Sequence, residues 1–316
     1  MVKYIPTIAY FCLFALLTVA TTNWASQFYL FDLLSSIKFQ LLILLLLLAS
    51  ISFLFHKRLG SICLLLTLSI GLFQYEFVNQ QATQSTAQFE VSQLNLSYEN
   101  SYIDELFGTR LSVLSDLTVL FEVNDNKRRE FIDLRSDYFD YGSAEVEGFP
   151  DGIGVISKFP IIKRKKHVVF KNSVKGVIIE LVIAFGASPL RLFVMHPPSP
   201  RNNNLWQKRN QMLQYLSFLL EQPSQIKHSL VIADFNTPPW SSNFPNITNM
   251  AACSDYTGHY TSWQGTSSTI LPDWLTGIAI DNCLLSNSLT VTKFTTSKVA
   301  GSDHKLLRYK VNVSEF

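Results

Sequence analysis

Apolar residues run along this 316-residue chain in two regimes. Up to about residue 78 they are nearly continuous: residues 4–22 carry no charge, 39–55 contain the run LLILLLLL, and 59–75 form a third such stretch. At ~1.5 Å per residue, about 20 apolar residues cross a ~30 Å hydrocarbon core, so each is a candidate membrane helix, the middle one on the short side. A cleaved signal peptide is the rival reading of the first stretch, and the two that follow it favour anchoring. Lys3 precedes the first stretch, and His56, Lys57 and Arg58 separate the second from the third. The first loop holds Asp32 and, at its far end, Lys38. The positive-inside rule then puts the N-terminus and the second loop in the cytoplasm and everything after about residue 78 on the other side, which would be the periplasm if the source is a Gram-negative bacterium.

Past a polar connector at 79–88 (NQQATQSTAQ) the pattern changes to alternation and short apolar runs broken by Gly, Pro, Ser and Asn. Residues 89–96 alternate as a strand, 102–114 have helical spacing, 117–123 form a buried strand and 126–136 a helix. The runs GIGVIS, HVVF, VIIELVIAF and LRLFVM between 153 and 194 are separated by turn residues, which predicts hairpins. Leu205, Trp206, Met212, Leu213, Leu216, Leu219 and Leu220 have helical spacing, a strand follows at 230–232, and 278–285, 289–295 and 306–313 complete the chain as strands. Strand–helix units mixed with hairpins predict a layered α/β domain with mixed sheets. Three parts are expected: a membrane region at 1–78 with about three helices, the connector at 79–88 and a folded domain at 89–316.

Composition sharpens this division. A chain that is 47% hydrophobic and 16% charged is apolar for a soluble protein, and the excess lies in the first 78 residues. Their charges are Lys3, Lys38, Lys57, Arg58, Asp32 and Glu76, so from totals of 26 cations and 24 anions the remainder is formally neutral. The basic footprint of a nucleic-acid binder is absent. The runs at 127–129 and 163–166 read as solvated ends or faces of elements. Cys12 and Cys63 fall in the apolar stretches, and Cys253 and Cys283 have no zinc-ligand spacing. In an oxidising compartment the latter two could form one disulfide, and two buried thiols are the alternative.

Polar residues capable of chemistry recur where apolar runs end. Leu230, Val231 and Ile232 lead into Asp234, Phe235 and Asn236, after which Thr237, Pro238 and Pro239 stop regular structure. Alternation puts Asp234 and Asn236 on one face and turns Phe235 into packing. The C-terminal edge of a strand is where open α/β sheets place their chemistry, and an Asx turn is the plainer reading of the same tripeptide. Asn95, Glu122, His196, Asp281, Asp303 and His304 stand in similar settings. Singly each is ordinary; their recurrence argues for a site.

The succession QLN, FEV, HPP, ADFN, AIDN and GSDH over residues 89–313 resembles the endonuclease/exonuclease/phosphatase superfamily of metal-dependent phosphodiesterases. DFNTPPWS and MHPPSP resemble a membrane-anchored bacterial branch of it. The resemblance implies an α/β fold of the DNase I type, a four-layer sandwich of two mixed β-sheets flanked by helices, preceded here by about three transmembrane helices. It implies that Glu122, Asn95 and Asp303 hold a divalent cation, and oxygen ligands suit Mg²⁺ or Mn²⁺. Asp234 and Asn236 would sit at the attacked phosphate. His304 would contact that phosphate with Asp281 behind it, and His196 would form the opposite wall. Either Asp234 or His304 would take the proton of the attacking water. The chain departs from the family at Phe121, Ala233 and Asn282, none of which removes a metal or phosphate group, and Gly152, Gly154 and Ser157 fit its Gly-rich strand. The expected function is that of a membrane-anchored hydrolase acting outside the cytoplasm on a nucleic acid, a phospholipid or a phosphorylated small molecule, with no obligate protein partner. A non-catalytic receptor or scaffold on the same fold is the alternative.

Overall fold

The structure, a computed structural model, describes residues 4–20, 27–73, 87–103, 114–134, 138–142, 148–171, 175–186, 188–265 and 272–314. Four helices come first: α1 (Ile5–Ala20), α2 (Tyr29–Ser36), α3 (Lys38–Phe55) and α4 (Lys57–Phe73). His56 alone separates α3 from α4, and the two turn back on each other as a hairpin with α1 laid against them. Gly60 permits this closeness, since a Cβ there would run into the backbone of Phe53. Tyr10, Leu17, Leu45 and Ala49 form the bundle core, while Leu47, Leu54 and Leu65 point outward.

The expectation of three spans is corrected here. Among the described residues, α3 is the one helix long and apolar enough to cross a membrane. α1 has 16 residues, about 24 Å of helix, and the 17 residues of α4 begin with Lys57 and Arg58. The connector at 79–88 and the helix expected at 102–114 fall largely outside the described residues.

The rest of the chain forms two mixed sheets. Its strands are β1 (Ala87–Asn95), β2 (Leu117–Phe121), β3 (Phe139–Tyr141), β4 (Gly154–Ser157), β5 (Ile161–Val168), β6 (Val177–Ile183) and β7 (Leu190–Met195). They continue with β8 (His228–Asp234), β9 (Met250–Ala252), β10 (Trp263–Gln264), β11 (Gly277–Ile278), β12 (Asp281–Ser286), β13 (Leu289–Lys298) and β14 (Lys305–Val313). One sheet runs β13-β14-β1-β2-β4-β3 and the other β5-β6-β7-β8-β12-β9, with β10 and β11 paired separately. Each large sheet has a single parallel pair near its centre, β1 with β2 and β7 with β8. Antiparallel pairs surround both. The expected hairpins appear as the meander β5–β6–β7, whereas β4 joins the other sheet.

The helices of the domain are α5 (Arg128–Leu134), α6 (Asn203–Glu221), α7 (Ser254–Thr257) and α8 (Asp273–Thr276). Val91, Val119 and Val155 of one sheet meet Leu181, Leu192 and Ile232 of the other in the central core. Met212, Leu213 and Leu216 of α6 cover the outer face of the second sheet through Phe193 and Val231. Phe131 of α5 covers that of the first through Leu94, Leu120 and Ile156. Helix, sheet, sheet and helix are the four layers expected. The basic run at 163–166 lies exposed on the edge strand β5, where lysines discourage pairing with another chain. Cys253 and Cys283, both buried, form a disulfide between the start of α7 and β12, with Cα atoms 5.2 Å apart.

The first loop carries a helix of its own, α2, which is docked on the domain. Asp32 is fully buried and ion-paired with Arg209 of α6. Its carboxylate also accepts from Trp206 Nε1 at 2.9 Å, Ser241 Oγ at 2.7 Å and Asn243 Nδ2 at 2.9 Å. Trp240 Nε1 donates to the Ser35 carbonyl at 3.0 Å, and Gln40 Nε2 to the Gly277 carbonyl at 2.9 Å. Burial would raise the pKa of Asp32, but the Arg209 charge and these donors outweigh it and hold the carboxyl below its usual range.

Replacing Asp32 with Ala would strand a buried guanidinium, which costs about 3–5 kcal/mol. The full chain in detergent should therefore melt at a clearly lower temperature. Because the folded pKa is depressed, this stabilisation is present above the ordinary carboxyl value of ~3.9 and is lost as pH falls through the lower folded value. A Tm equal to that of the wild type at neutral pH would contradict the assignment.

Candidate active site

Both parallel pairs end at the same edge of the sandwich. Asn95 is the last residue of β1, Glu122 follows β2, His196 follows β7 and Asp234 is the last residue of β8. Asp281 opens β12 directly opposite Asp234, and Asp303 and His304 precede β14. Seven of the eight candidates, Asn95, Glu122, His196, Asp234, Asn236, Asp303 and His304, line one cleft of about 500 Å³, and Asp281 stands buried behind His304. Two amides stitch the sheets together here. Asn95 Nδ2 donates to Asp234 Oδ2 at 3.1 Å, and Gln93 Nε2 to the Ala233 carbonyl at 2.8 Å.

Asp234 is 1% exposed and sits at the centre. Its Oδ1 accepts from the Asn236 amide at 3.1 Å, so the Asx turn is present together with the site. Its Oδ2 lies 3.2 Å from His196 Nε2 and 3.9 Å from His304 Nε2. Burial pushes the Asp234 pKa up, but the two imidazoles and Lys175 outweigh it and keep the carboxyl well below its usual range. Strand alternation stops at Asp234, because Asn236 has φ 51°. That left-handed turn brings Asn236 back to the cleft, where Nδ2 donates to the Pro197 carbonyl at 3.1 Å, and Phe235 is buried against Phe244 as expected.

His304 is held from behind, with Nδ1 2.7 Å from Asp281 Oδ2. Burial lowers its pKa, but Asp281 above all, with Asp234 and Asp303, raises it to about 9. The ring therefore carries a proton at neutral pH. On the other wall His196 has its Nδ1 buried without a hydrogen-bond partner, and the edge of Phe121, one of the family departures, lies against its ring at 5.5 Å.

Glu122 also adopts a left-handed conformation, φ 58°. Its Oε2 accepts from the Tyr98 amide at 3.2 Å. Gly152, φ 73°, lies so close that a Cβ would collide with Tyr98 and come within 3.2 Å of Glu122 Cα, which explains the glycine in GIGVIS. Burial raises the Glu122 pKa, but Lys175 and His196 bring it below the usual value. Lys175 was not a sequence candidate, yet its Nζ lies 3.3 Å from Glu122 Oε1 and 2.6 Å from His196 Nε2. Trp263 was also missed; its Nε1 donates to Asp303 Oδ2 at 2.8 Å.

The donor set suits a hard divalent cation. Glu122, Asp234 and Asp303 bring three carboxylates to one cleft, and the ammonium of Lys175 beside Glu122 marks where positive charge is favoured. Asn95 is the weakest donor as placed, since its Oδ1 already accepts from the Ser97 amide at 3.0 Å and keeps one lone pair. Ligand atoms of Asp234, Asp281 and His304 also lie within 4.8 Å of one another. The 2.7 Å contact of His304 Nδ1 with Asp281 is a hydrogen bond, so this cluster reads as a proton-sharing chain.

A model of the endonuclease/exonuclease/phosphatase family matches residues 91–304. Among solved structures, TDP2 of D. rerio complexed with single strand DNA product is 13% identical, with a TM-score of 0.59, covering 72% of this chain and 100% of that one. An endonuclease/exonuclease/phosphatase from Bacteroides vulgatus is 12% identical, with a TM-score of 0.55 and the same coverage, 72% and 100%. A mutant beta toxin of Staphylococcus aureus with bound magnesium ions is 12% identical, with a TM-score of 0.51, again over 72% and 100%. At these identities the likeness is one of fold. No curated protein matches the chain.

Asp281→Asn removes the main influence that raises the His304 pKa, so the imidazole should titrate at a lower pH than in the wild type. Histidine ring signals followed by NMR against pH test this, and a titration unmoved by the substitution would show that Asp281 does not govern the ring.

Proposed function

The chain belongs to the endonuclease/exonuclease/phosphatase family, and we propose that it is a membrane-tethered hydrolase of phosphoric esters that uses a divalent cation and works outside the cytoplasm. One observation carries this reading above the others. Asp234, a buried carboxylate held ionised, lies between Asn95, His196 and His304 where both sheets present their strand ends. Such an arrangement serves in-line attack of water on phosphorus.

Asp234 orients the attacking water by accepting a hydrogen bond from it. The His304 imidazolium donates to a phosphoryl oxygen, with Asp281 fixing the ring through Nδ1. Asn236 and His196 line the pocket on either side of Asp234 and position the phosphate. Glu122 and Asp303, with Asn95 completing the set, would hold Mg²⁺ or Mn²⁺. Such a cation would withdraw charge from a phosphoryl oxygen and favour attack on phosphorus. Two neighbours of the same fold support this chemistry, TDP2 with its single strand DNA product and beta toxin with its magnesium ions.

In this reading residues 1–78 anchor the chain through the bundle built on α3, 79–88 connect, and 89–316 catalyse. Two features favour an extracytoplasmic domain. The disulfide Cys253–Cys283 suits an oxidising compartment. Lys57 and Arg58 lie at the end of α3 away from α2 and the domain on which α2 docks.

Purified in detergent, the full chain should hydrolyse a generic aryl phosphodiester, lose that activity to a chelator and regain it with Mg²⁺. Asp234→Asn and His304→Gln should each lower kcat by about 10²–10⁴-fold. Metal-independent turnover, or variants as active as the wild type, would refute the assignment. In intact spheroplasts added protease should degrade the domain; protection would reverse the sidedness.

A further inference from the structure

The lining of the cleft is part polar and part apolar. Glu122, Asp234 and His304 share about 500 Å³ with Leu33, Ile37, Ile278 and Ile280. Leu33 and Ile37 belong to the first loop, and Ile37 is the residue immediately before α3, the helix long enough to cross a membrane. The wall of the site is therefore continuous with the head of the membrane helix. Asp32, with Arg209, Trp206, Ser241 and Asn243 around its carboxylate, holds α2 in place and makes that wall a fixed part of the site.

Large apolar residues stand exposed beside this wall. Leu30, on α2 with Leu33, is 67% exposed, and Trp274, on the short helix that leads into Ile278, is 57% exposed. Gln40 of α3 donates to the Gly277 carbonyl at 2.9 Å, so that short helix sits at the same level as the start of α3. A tryptophan at this level is the usual occupant of a membrane–water interface.

We propose that the cleft takes an amphiphilic phosphoester from the bilayer surface, its phosphate against the polar residues and its aliphatic chain along Leu33, Ile37 and Ile278. This rests on the hydrolase reading above. Lys175 and Arg201 are the lysine and arginine among the described lining residues, and with His304 they suffice for one phosphate and are too few to follow a nucleic-acid backbone. In the reaction the water oxygen bonds to phosphorus, the phosphorus–oxygen bond to one alcohol breaks, and the proton released by the water is balanced by the one the leaving oxygen takes up, so that one alcohol and one phosphomonoester result.

The test uses the full chain in mixed micelles with Mg²⁺ and three nitrophenyl phosphodiesters whose second alcohol is methyl, hexyl or hexadecyl. The proposal expects kcat/KM to rise by about tenfold or more from methyl to hexyl, with the hexadecyl ester at least as good. In the double substitution Leu33→Ser, Ile37→Ser the hexyl-to-methyl ratio should fall towards one. That ratio is internal to each preparation and does not depend on how much of the variant folds. Equal rates across the series overturn the proposal and leave the hydrolase reading standing. So does an oligonucleotide cleaved in preference to the hexyl ester, or a ratio that survives the double substitution. No turnover of any ester overturns the hydrolase reading, and this inference falls with it.

Discussion

A carboxylate that is 1% exposed at the seam of two sheets imposes a requirement on everything near it. Asp234 must either give up its charge or be surrounded by partners that stabilise it. The fold takes the second course. An amide arrives from β1, an imidazole from the end of β7 and another from the approach to β14. At the 3.9 Å that separates His304 Nε2 from Asp234 Oδ2, a pair of unit charges is worth about 4 kcal/mol at an effective dielectric constant of ~20. Interactions of that size are comparable with a substantial part of a domain's net stability, so the geometry around Asp234 constrains the sheets as well as the site.

The sheets meet that requirement through their parallel pairs. An antiparallel sheet alternates strand ends between its two edges, whereas β1 and β2, and likewise β7 and β8, deliver C-terminal ends together. Two such pairs, face to face across a valine- and leucine-rich core, bring Asn95, Glu122, His196 and Asp234 to one place although they are spread over most of the domain sequence. Backbone departures finish the arrangement. Glu122 and Asn236 both leave their strands in left-handed conformations, an uncommon state for residues other than glycine that tight surroundings maintain, here the close approach of Gly152 and the Asx bond from Asp234.

Much of this was legible in the sequence because each site residue is polar and interrupts or ends an apolar run. Such an interruption is what a functional strand end looks like in one dimension. The layers followed from helical spacing in 205–220 and alternation elsewhere. Lys175 and Trp263 left no such mark, since both lie in turn-rich segments where polar and aromatic residues are ordinary. Helix α2 was invisible for a different reason. Its eight residues are too few for periodicity to register, and the partner that explains Asp32 is 177 positions away in Arg209. Long-range pairing of this kind has no signature in spacing. Three apolar stretches suggested three spans, whereas among the described residues α3 is the one helix long and apolar enough to be a candidate.

That distant pair bears on how anchor and site relate. A buried ion pair is a poor choice if stability is all that is needed, because well-packed apolar residues of similar volume often serve as well or better. Its advantage is directional. Arg209 reaches Asp32 through Nη2 and the Asn236 carbonyl, at 2.9 Å, through Nη1, so one planar guanidinium fixes α2 and the turn after Asp234 relative to each other. An apolar contact would let α2 slide; this fork does not. Helix α2, which precedes α3, is thereby tied to the residue two places beyond the central carboxylate. A displacement of α2 would be transmitted through Arg209 to Asn236, which makes α2 a structural member of the site.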